Sequence, residues 1–509
     1  MMWGLILGAT LAAIPLTPEG LEQEAARYVR EQSSKGTQSP PVMDALLTRA
    51  ARRLARQSLA AYSAQAPDPL RATEAVSEEG GAELVTSTVA VRAMVPSHAL
   101  EELLQEKKEL GTTASLLGVA AVEEDGKVAL VVLKGERWVT LKDFPRAFAG
   151  PGQGGILCGE LLRDLGVPTL HVTRPDGTVD RVRLARHEGR AFCAGLEFPQ
   201  AGTHTVTLGA TAGKGLNLAG AFRVRVGEAP PEVEPERQED GLQAVVRRIN
   251  ALRKGEGLAS VRRDAVLDRV AQVYADRMAR EGFYGPTAPD GTTVRERIPE
   301  YGGKWGRAGE NLGWGAGPLA AHFGIEHTIS SRRNLLDPEA RHGGVGLAWR
   351  QREEGGREAL LVEVLALRSP GTLTAGGPVE EAYRVLERLR SKELPALRRS
   401  PELEALAAEL ARSASGPGEV TDVAVYERIQ KALPQATTSS AAVYEVPDVL
   451  GLPRPAVLLD RATSDMGVAV VGGGEALKRV VVLFASQPRA DEILQKSPSW
   501  MMGGSGSRR

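Results

Sequence analysis

The feature that most restricts what this chain can fold into is an order of periodicities that occurs three times. In "GLQAVVRRINALRKGEGLASVRRDAVLDRVAQVYADRMAREG" (Gly241 to Gly282), apolar residues recur at helical spacing in two runs, Leu242/Val245/Val246/Ile249/Leu252 and Val266/Leu267/Val270/Val273/Tyr274. Both read as amphipathic helices. The unit closes with "GGVGLAWRQREEGGREALLVEVLA" (Gly343 to Ala366), two β-rich runs around a charged, Gly-containing turn, hence a hairpin. The same order runs from "VEEAYRVLERLRSKELPALRRSPELEALAAELARSA" (Val379 to Ala414) to "MGVAVVGGGEALKRVVVLFAS" (Met466 to Ser486). It runs earlier from "LEQEAARYVREQ" (Leu21 to Gln32) and "MDALLTRAARRLARQSLA" (Met43 to Ala60) to "LLGVAAVEEDGKVALVVL" (Leu116 to Leu133). Each copy is helix, helix, variable middle, Gly-Val strand and returning strand, so three units of one α+β domain are expected.

Between the first two units the texture changes. From Trp138 to Gly227, runs such as "TLHVTRPDGTVDRVRLA" and "THTVTLGA" carry turn signals at short intervals and no helical period, which predicts a small all-β, Ig-like sandwich. "GEAPPEVEPERQED" and "RSPGTLTAGGP" have linker composition. The expected organisation is therefore a unit at 17–137, a sandwich at 138–227, a linker at 228–240, a unit at 241–367, a linker at 368–377 and a unit at 378–488. A tail without periodicity, 489–509, is expected to be disordered.

Net charge of -1 and 4% aromatic residues argue against nucleic acid, which requires concentrated cations or stacking platforms. The apolar start, residues 1–16, fits a secretory h-region and is too short to span a bilayer. It lacks a basic n-region and a small-x-small cleavage site, so a buried first segment is the competing reading. No later stretch is long and apolar enough for a transmembrane helix. Export to the periplasm, outer envelope or medium is the expectation.

The two cysteines, Cys158 and Cys193, both fall in the sandwich. If Leu157, Gly159 and Leu161 face inward, Cys158 faces out; if Phe192, Ala194, Leu196 and Phe198 face inward, Cys193 faces out as well. Matched phases favour a cross-strand disulfide over two free thiols, provided the chain is exported.

The second unit resembles the CAP superfamily, also called SCP-like, in its bacterial form. The resemblance rests on "INALRKGEGLASVRRDAVLDRVAQVYADRMAREGFYGPTAPDGTT", "GENLGWG", "SSRRNLL" and "GGVGLA", in the family's order between Leu242 and Ala366. The outer units resemble it only in their opening helices and closing hairpin. The resemblance implies three CAP-like α-β-α sandwich units beside the all-β one. It also implies a cleft that in typical members holds two histidines and two acids, sometimes around a metal.

The Gly-Glu-Asn motif places the family's acid on Glu310, beside Asn311, whereas the histidine positions fall on Pro286 and Ser331. Neither proline nor serine replaces imidazole as ligand or base, so no metal, no cofactor and no catalytic residue are expected. Glu310 then reads as a carboxylate accepting backbone N–H bonds to shape a loop. The rival reading pairs it with His327, which on a continuous helix would share a face with Ser331 four residues on. His322 and His342 flank this region without zinc-motif spacing, and His98 reads as a helix-start residue. "VGGGEAL" (Val471 to Leu477) reads as a hairpin turn rather than a phosphate cradle. The function expected is a non-catalytic, exported bacterial binding or scaffolding protein whose partner is a protein, a glycan or a lipid. The alternatives are a hydrolase or metal-dependent activity at Glu310/His327, and a small-lipid carrier.

Overall fold

Three helix-flanked sheets with one shared strand order account for most of the chain, and the fold is α+β. The computed structural model describes residues 16–33, 39–61, 66–106, 114–212, 215–228, 233–300, 305–352, 356–368, 377–390, 393–412, 418–419, 423–446, 449–472 and 478–487. Most of the apolar start, the 369–376 stretch, the 473–477 glycine run and the tail from 488 lie outside the described residues.

The first unit contains α1 (Pro18–Ser33), β1 (Val42–Met43), α2 (Ala45–Ala60), α3 (Pro69–Glu78), β2 (Leu84–Ala93), α4 (Pro96–Leu103), β3 (Leu116–Glu124) and β4 (Lys127–Glu136). The all-β region runs through β5 (Val139–Leu141), β6 (Ala147–Phe148), β7 (Gln153–Leu161), β8 (Val167–Thr173), β9 (Val179–Val182), β10 (Arg186–Glu188), β11 (Ala191–Phe198), β12 (Gly202–Ala212) and β13 (Gly215–Val226). The central unit has α5 (Gln238–Gly255), β14 (Arg262–Arg263), α6 (Ala265–Glu281), α7 (Val294–Glu300), β15 (Trp305–Gly315), α8 (Pro318–Glu326), α9 (Ile329–Leu335), β16 (His342–Gln351) and β17 (Arg357–Arg368). The last unit has α10 (Gly377–Leu389), β18 (Arg398–Arg399), α11 (Pro401–Arg412), β19 (Gly418–Glu419), α12 (Val423–Ala432), β20 (Thr438–Val446), β21 (Asp465–Val471) and β22 (Lys478–Ser486).

The sheets run β1-β3-β4-β2, β14-β16-β17-β15 and β18-β21-β22-β20-β19. In each, a two-residue strand pairs parallel to the first strand of the hairpin, and the middle segment supplies an antiparallel strand on the hairpin's far side. The two-residue strands were not visible in the sequence, because two residues carry no period.

One local device explains why the Gly-Val signature repeats. The residue before each second helix caps it: Asp44 Oδ1 accepts from Leu46 and Leu47 N–H, Asp264 Oδ1 from Val266 and Leu267, and Ser400 Oγ from Leu403. The first turn so fixed lies against the hairpin. A Cβ on Gly118, Gly344 or Gly467 would overlap the backbone of Leu47, Leu267 or Leu403 respectively, so only glycine allows helix and strand this close. Two units share a second device. Arg253, at the end of α5, donates to the carbonyls of Ala259 (2.8 Å), Leu335 (2.7 Å) and Ala340 (3.1 Å). Arg390, just past α10, donates likewise to Pro395 (2.7 Å), Leu458 (3.0 Å) and Thr463 (3.1 Å).

In the all-β region, sheets β10-β11-β7-β5 and β6-β13-β12-β8-β9 bury one core between them. Leu157, Phe192, Ala194, Leu196 and Phe198 face into it. Cys158 and Cys193 stand directly opposite each other on β7 and β11, with Cα atoms 4.1 Å apart, and are joined as a disulfide. The 228–240 linker is shorter than expected. Helix α5 already begins at Gln238, and Glu234 Oε1 and Oε2 accept from Ala320 N–H (2.7 Å) and Leu319 N–H (2.9 Å) at the start of α8. A carboxylate on a helix N-terminus, where unpaired N–H groups and the macrodipole converge, fixes that half of the linker.

Candidate functional site

Arg307 to Gly315 of "RAGENLGWGAG" lie in β15, hydrogen-bonded to β17, and are not the loop that the glycines suggest. The glycines answer to packing instead. A Cβ on Gly313 would lie 2.8 Å from Ile325 Cγ1, and one on Gly315 2.8 Å from the Ala321 nitrogen, so their absence lets α8 rest directly on the strand.

Successive residues of a strand face opposite sides, so Glu310 and Asn311 diverge. Glu310 opposes Val364, which packs in the α6-side core with Leu312 and Trp314; Asn311 opposes Glu363, on the side of α5 and α8. On the α6 side, Arg297 of α7 donates Nη2–H to Glu310 Oε1 (2.6 Å) and Oε2 (2.8 Å), and its guanidinium lies 3.3 Å from the centroid of Tyr274. The Tyr274 hydroxyl donates to Gly285 O at 2.6 Å, tying down the turn that carries the exposed Pro286. Burial pushes the Glu310 pKa up and Arg297 opposes this. The side chains are 7% and 3% exposed for Arg297 and Glu310. Glu310 is thus bound by a side-chain cation, and the expected backbone N–H donors are not its partners.

The other expected residues lie across the sheet. Asn311, buried, accepts at Oδ1 from Asn334 Nδ2 of α9 (3.0 Å). His327 ends α8, and Ser331 belongs to α9, which starts at Ile329 after a break, so they do not share one continuous helix face. The His327 ring stacks on Phe323 with centroids 4.0 Å apart. Its Nδ1–H donates to Phe323 O (2.9 Å), which leaves Nε2 to accept from Thr207 Oγ1 (3.2 Å) of the all-β region. Burial pushes the pKa of His327 down to about 4, consistent with this neutral tautomer. Glu310 and His327 are on opposite faces of one sheet and cannot act as a pair. Ser331 is partly exposed. His342 lies edge-on to Trp305, with centroids 5.5 Å apart, and His98 is exposed in the first turn of α4.

Sequence reasoning missed the polar cluster behind α8. His322 Nδ1 lies 2.7 Å from Glu363 Oε1, Nε2 lies 3.6 Å from Glu326 Oε2, and Arg332 Nη1 reaches Glu326 Oε1 at 3.3 Å, all buried. Burial works against the charge on His322, but Glu363 and then Glu326 hold its pKa above the ordinary value. The available signal was His322 and Glu326 at i,i+4 in an otherwise apolar helix.

The α8 helix is buried nearly all round, because other elements pack on most of its sides. Besides β15 and Glu234, Gly324 abuts Pro69 of α3, where a Cβ would lie 2.9 Å from Pro69 Cγ. Asp68 Oδ1 caps α3 at Arg71 N–H while Oδ2 accepts from Ala316 N–H, both 2.9 Å, just ahead of α8. A cavity of about 580 Å³ opens here, between α3, the all-β region and α8. Among the described residues, no group of three or more His, Cys, Asp or Glu side chains is arranged to hold a metal ion, and no helix is long and apolar enough to cross a membrane.

The model of the Cysteine-rich secretory protein family, CAP, matches residues 246–355. No curated protein sequence matches the chain. Among solved structures, an outer surface protein of Borrelia burgdorferi is 20% identical over 26% of this chain and 96% of its own, with a TM-score of 0.23. An extracellular SCP-domain protein of Bacillus anthracis is 13% identical over 45% and 67%, with a TM-score of 0.24. A cysteine-rich secretory protein of Staphylococcus aureus is 11% identical over 42% and 78%, also with a TM-score of 0.24. The match to the Cysteine-rich secretory protein family, CAP, thus falls within the central unit, the one with helices on both faces of β14-β16-β17-β15 and with the Gly-Glu-Asn strand.

Proposed function

We propose that the chain is a non-catalytic, exported binding and scaffolding protein in which a CAP domain is flanked by two degenerate copies of itself. The observation that carries this reading is the closed Arg297–Glu310 pair. With Pro286 and Ser331 where the family has imidazoles, and His327 across the sheet, Glu310 has a structural cation and, among the described residues, no proton-transfer partner. The shared strand order and the three glycine–helix contacts support the reading of the outer units as copies. The cross-strand disulfide supports passage through an oxidising compartment.

The test is cross-linking of the full chain in its native cell, with identification of the captured partners, alongside metal analysis and hydrolase assays of the purified protein. The reading expects a reproducible partner set that Glu310→Gln leaves intact, and neither stoichiometric zinc nor turnover. Stoichiometric metal and hydrolysis, both lost in Glu310→Gln, would replace it with an enzyme.

A further inference from the structure

The cavity beside α8 has an uneven balance of uncommitted polar groups. Its carboxylates are already engaged. Asp68 accepts from Arg71 and Ala316 N–H, Glu234 from Leu319 and Ala320 N–H, Glu326 pairs with Arg332, and Glu74 faces Arg223 at 3.4 Å. The donors are less fully used. Among the described residues the Arg71 guanidinium makes no hydrogen bond or ion pair. That of Arg248, laid over Gly177 at 3.0 Å from where a Cβ would sit, hydrogen-bonds among the described residues only to the carbonyl of Arg174, at 3.5 Å, with Glu326 close enough to feel its charge. Thr205 Oγ1 accepts from Arg223 at 3.1 Å, which leaves its O–H to donate. His322, 2% exposed, lines the same cavity with an Nε2 that makes no hydrogen bond and whose carboxylate neighbour, Glu326 Oε2, lies 3.6 Å away.

A cavity of this volume is in the range of small-molecule sites, and such sites favour junctions between domains. Leu70, Val233, Leu319 and Phe323 add apolar wall. We propose that this three-domain junction binds a small organic oxyanion through the guanidinium groups of Arg248 and Arg71, with its carbon skeleton on the apolar wall. Because α3, β12 and α8 each supply a wall, the bound anion clamps the first unit and the all-β region onto the CAP domain. The site lies across the sheet from Glu310, so it stands whether or not the chain acts as a scaffold.

The oxyanion is a carboxylate or a phosphate, and two probes separate these: citrate and glycerol 3-phosphate, titrated calorimetrically into the full chain at constant ionic strength set with sodium chloride. One probe is expected to bind saturably and to raise the melting temperature, since a ligand bound only by the native state stabilises it by mass action. Tighter binding of citrate assigns a carboxylate and tighter binding of glycerol 3-phosphate a phosphate. Arg248→Ala should weaken binding at least about tenfold, the loss of one charge-assisted contact. Arg71→Ala, at an exposed position that folding does not need, should weaken it several-fold. Arg461→Ala, which removes an exposed cation in the last unit, should change nothing. Absence of saturable binding by both probes would overturn the proposal, as would equal affinities in all three variants, which is the behaviour of charge screening alone.

Discussion

The two faces of the central sheet are built on different principles. On the α6 face the buried core is drawn from the central unit itself: Tyr274 and Arg297 close over Glu310, and Leu267 seats on Gly344. On the α8 face the central unit's own residues are joined by partners from the first unit, the all-β region and the linker, through Pro69, Thr207 and Glu234. A domain face that is complete by itself can lose its chemistry and keep its shape. A face completed by other domains turns a helix into a junction. This explains why α8, "PLAAHFGIE", has no polar stripe: an amphipathic helix needs a wet side, and α8 has hardly any.

The largest effect should come from breaking the self-contained face. Gly344→Leu drives a side chain into backbone at the first turn of α6, where neither partner can move, and should cost more than about 4 kcal/mol, enough to unfold the unit in thermal melts. Arg297→Met comes next. It leaves a buried carboxylate without its cation and should cost about 3 to 5 kcal/mol, whereas Arg297→Met with Glu310→Met should recover most of that loss, because a buried ion pair contributes little beyond an apolar pair of similar volume. A double variant no more stable than Arg297→Met would mean the pair is not the unit that matters.

The junction face should respond to pH with two opposed slopes. His327 takes up its proton near pH 6.5 when unfolded and only near pH 4 when folded, so its contribution is present above pH 6.5 and lost as pH falls towards 4, by about 3 kcal/mol at most. His322 has a raised folded pKa, so its contribution is present below pH 6.5 and lost as pH rises through that raised value. Denaturant melts across pH should show His327→Asn flattening the acid limb and His322→Asn the alkaline one. An unchanged acid limb in His327→Asn would contradict the neutral tautomer that Thr207 and Phe323 define. The smallest effect is expected for Glu234→Gln, about 1 kcal/mol from a weakened helix cap, with faster proteolysis near 228–237 as its readout.

What could be read from the sequence divides along the same line. The helices of the repeats, the closing hairpins and the phases of Cys158 and Cys193 were legible because periods of 3.6 and 2 are local. The strand that carries Glu310 was not, because alternating glycines imitate a loop when the helix that requires them is out of view. The partner of Glu310 lies thirteen residues away on a short helix with no distinctive period, and no spacing rule selects Arg297 from its neighbours. The junction was least legible of all. Asp68 and Ala316 are 248 residues apart, and their bond depends on how whole domains are placed.

Hydrogen exchange on the full chain, comparing wild type with Gly324→Leu, tests the contrast between the faces most directly. The leucine would press on Pro69 and part the first unit from α8 without touching the α6 side. The expected result is loss of amide protection in α8 and α3 and along the neighbouring part of β12, with α6 and β15 retaining theirs. Loss of protection throughout the CAP domain, or no change in α3, would show that α8 belongs to the domain's own core and that the junction does not hold the units together.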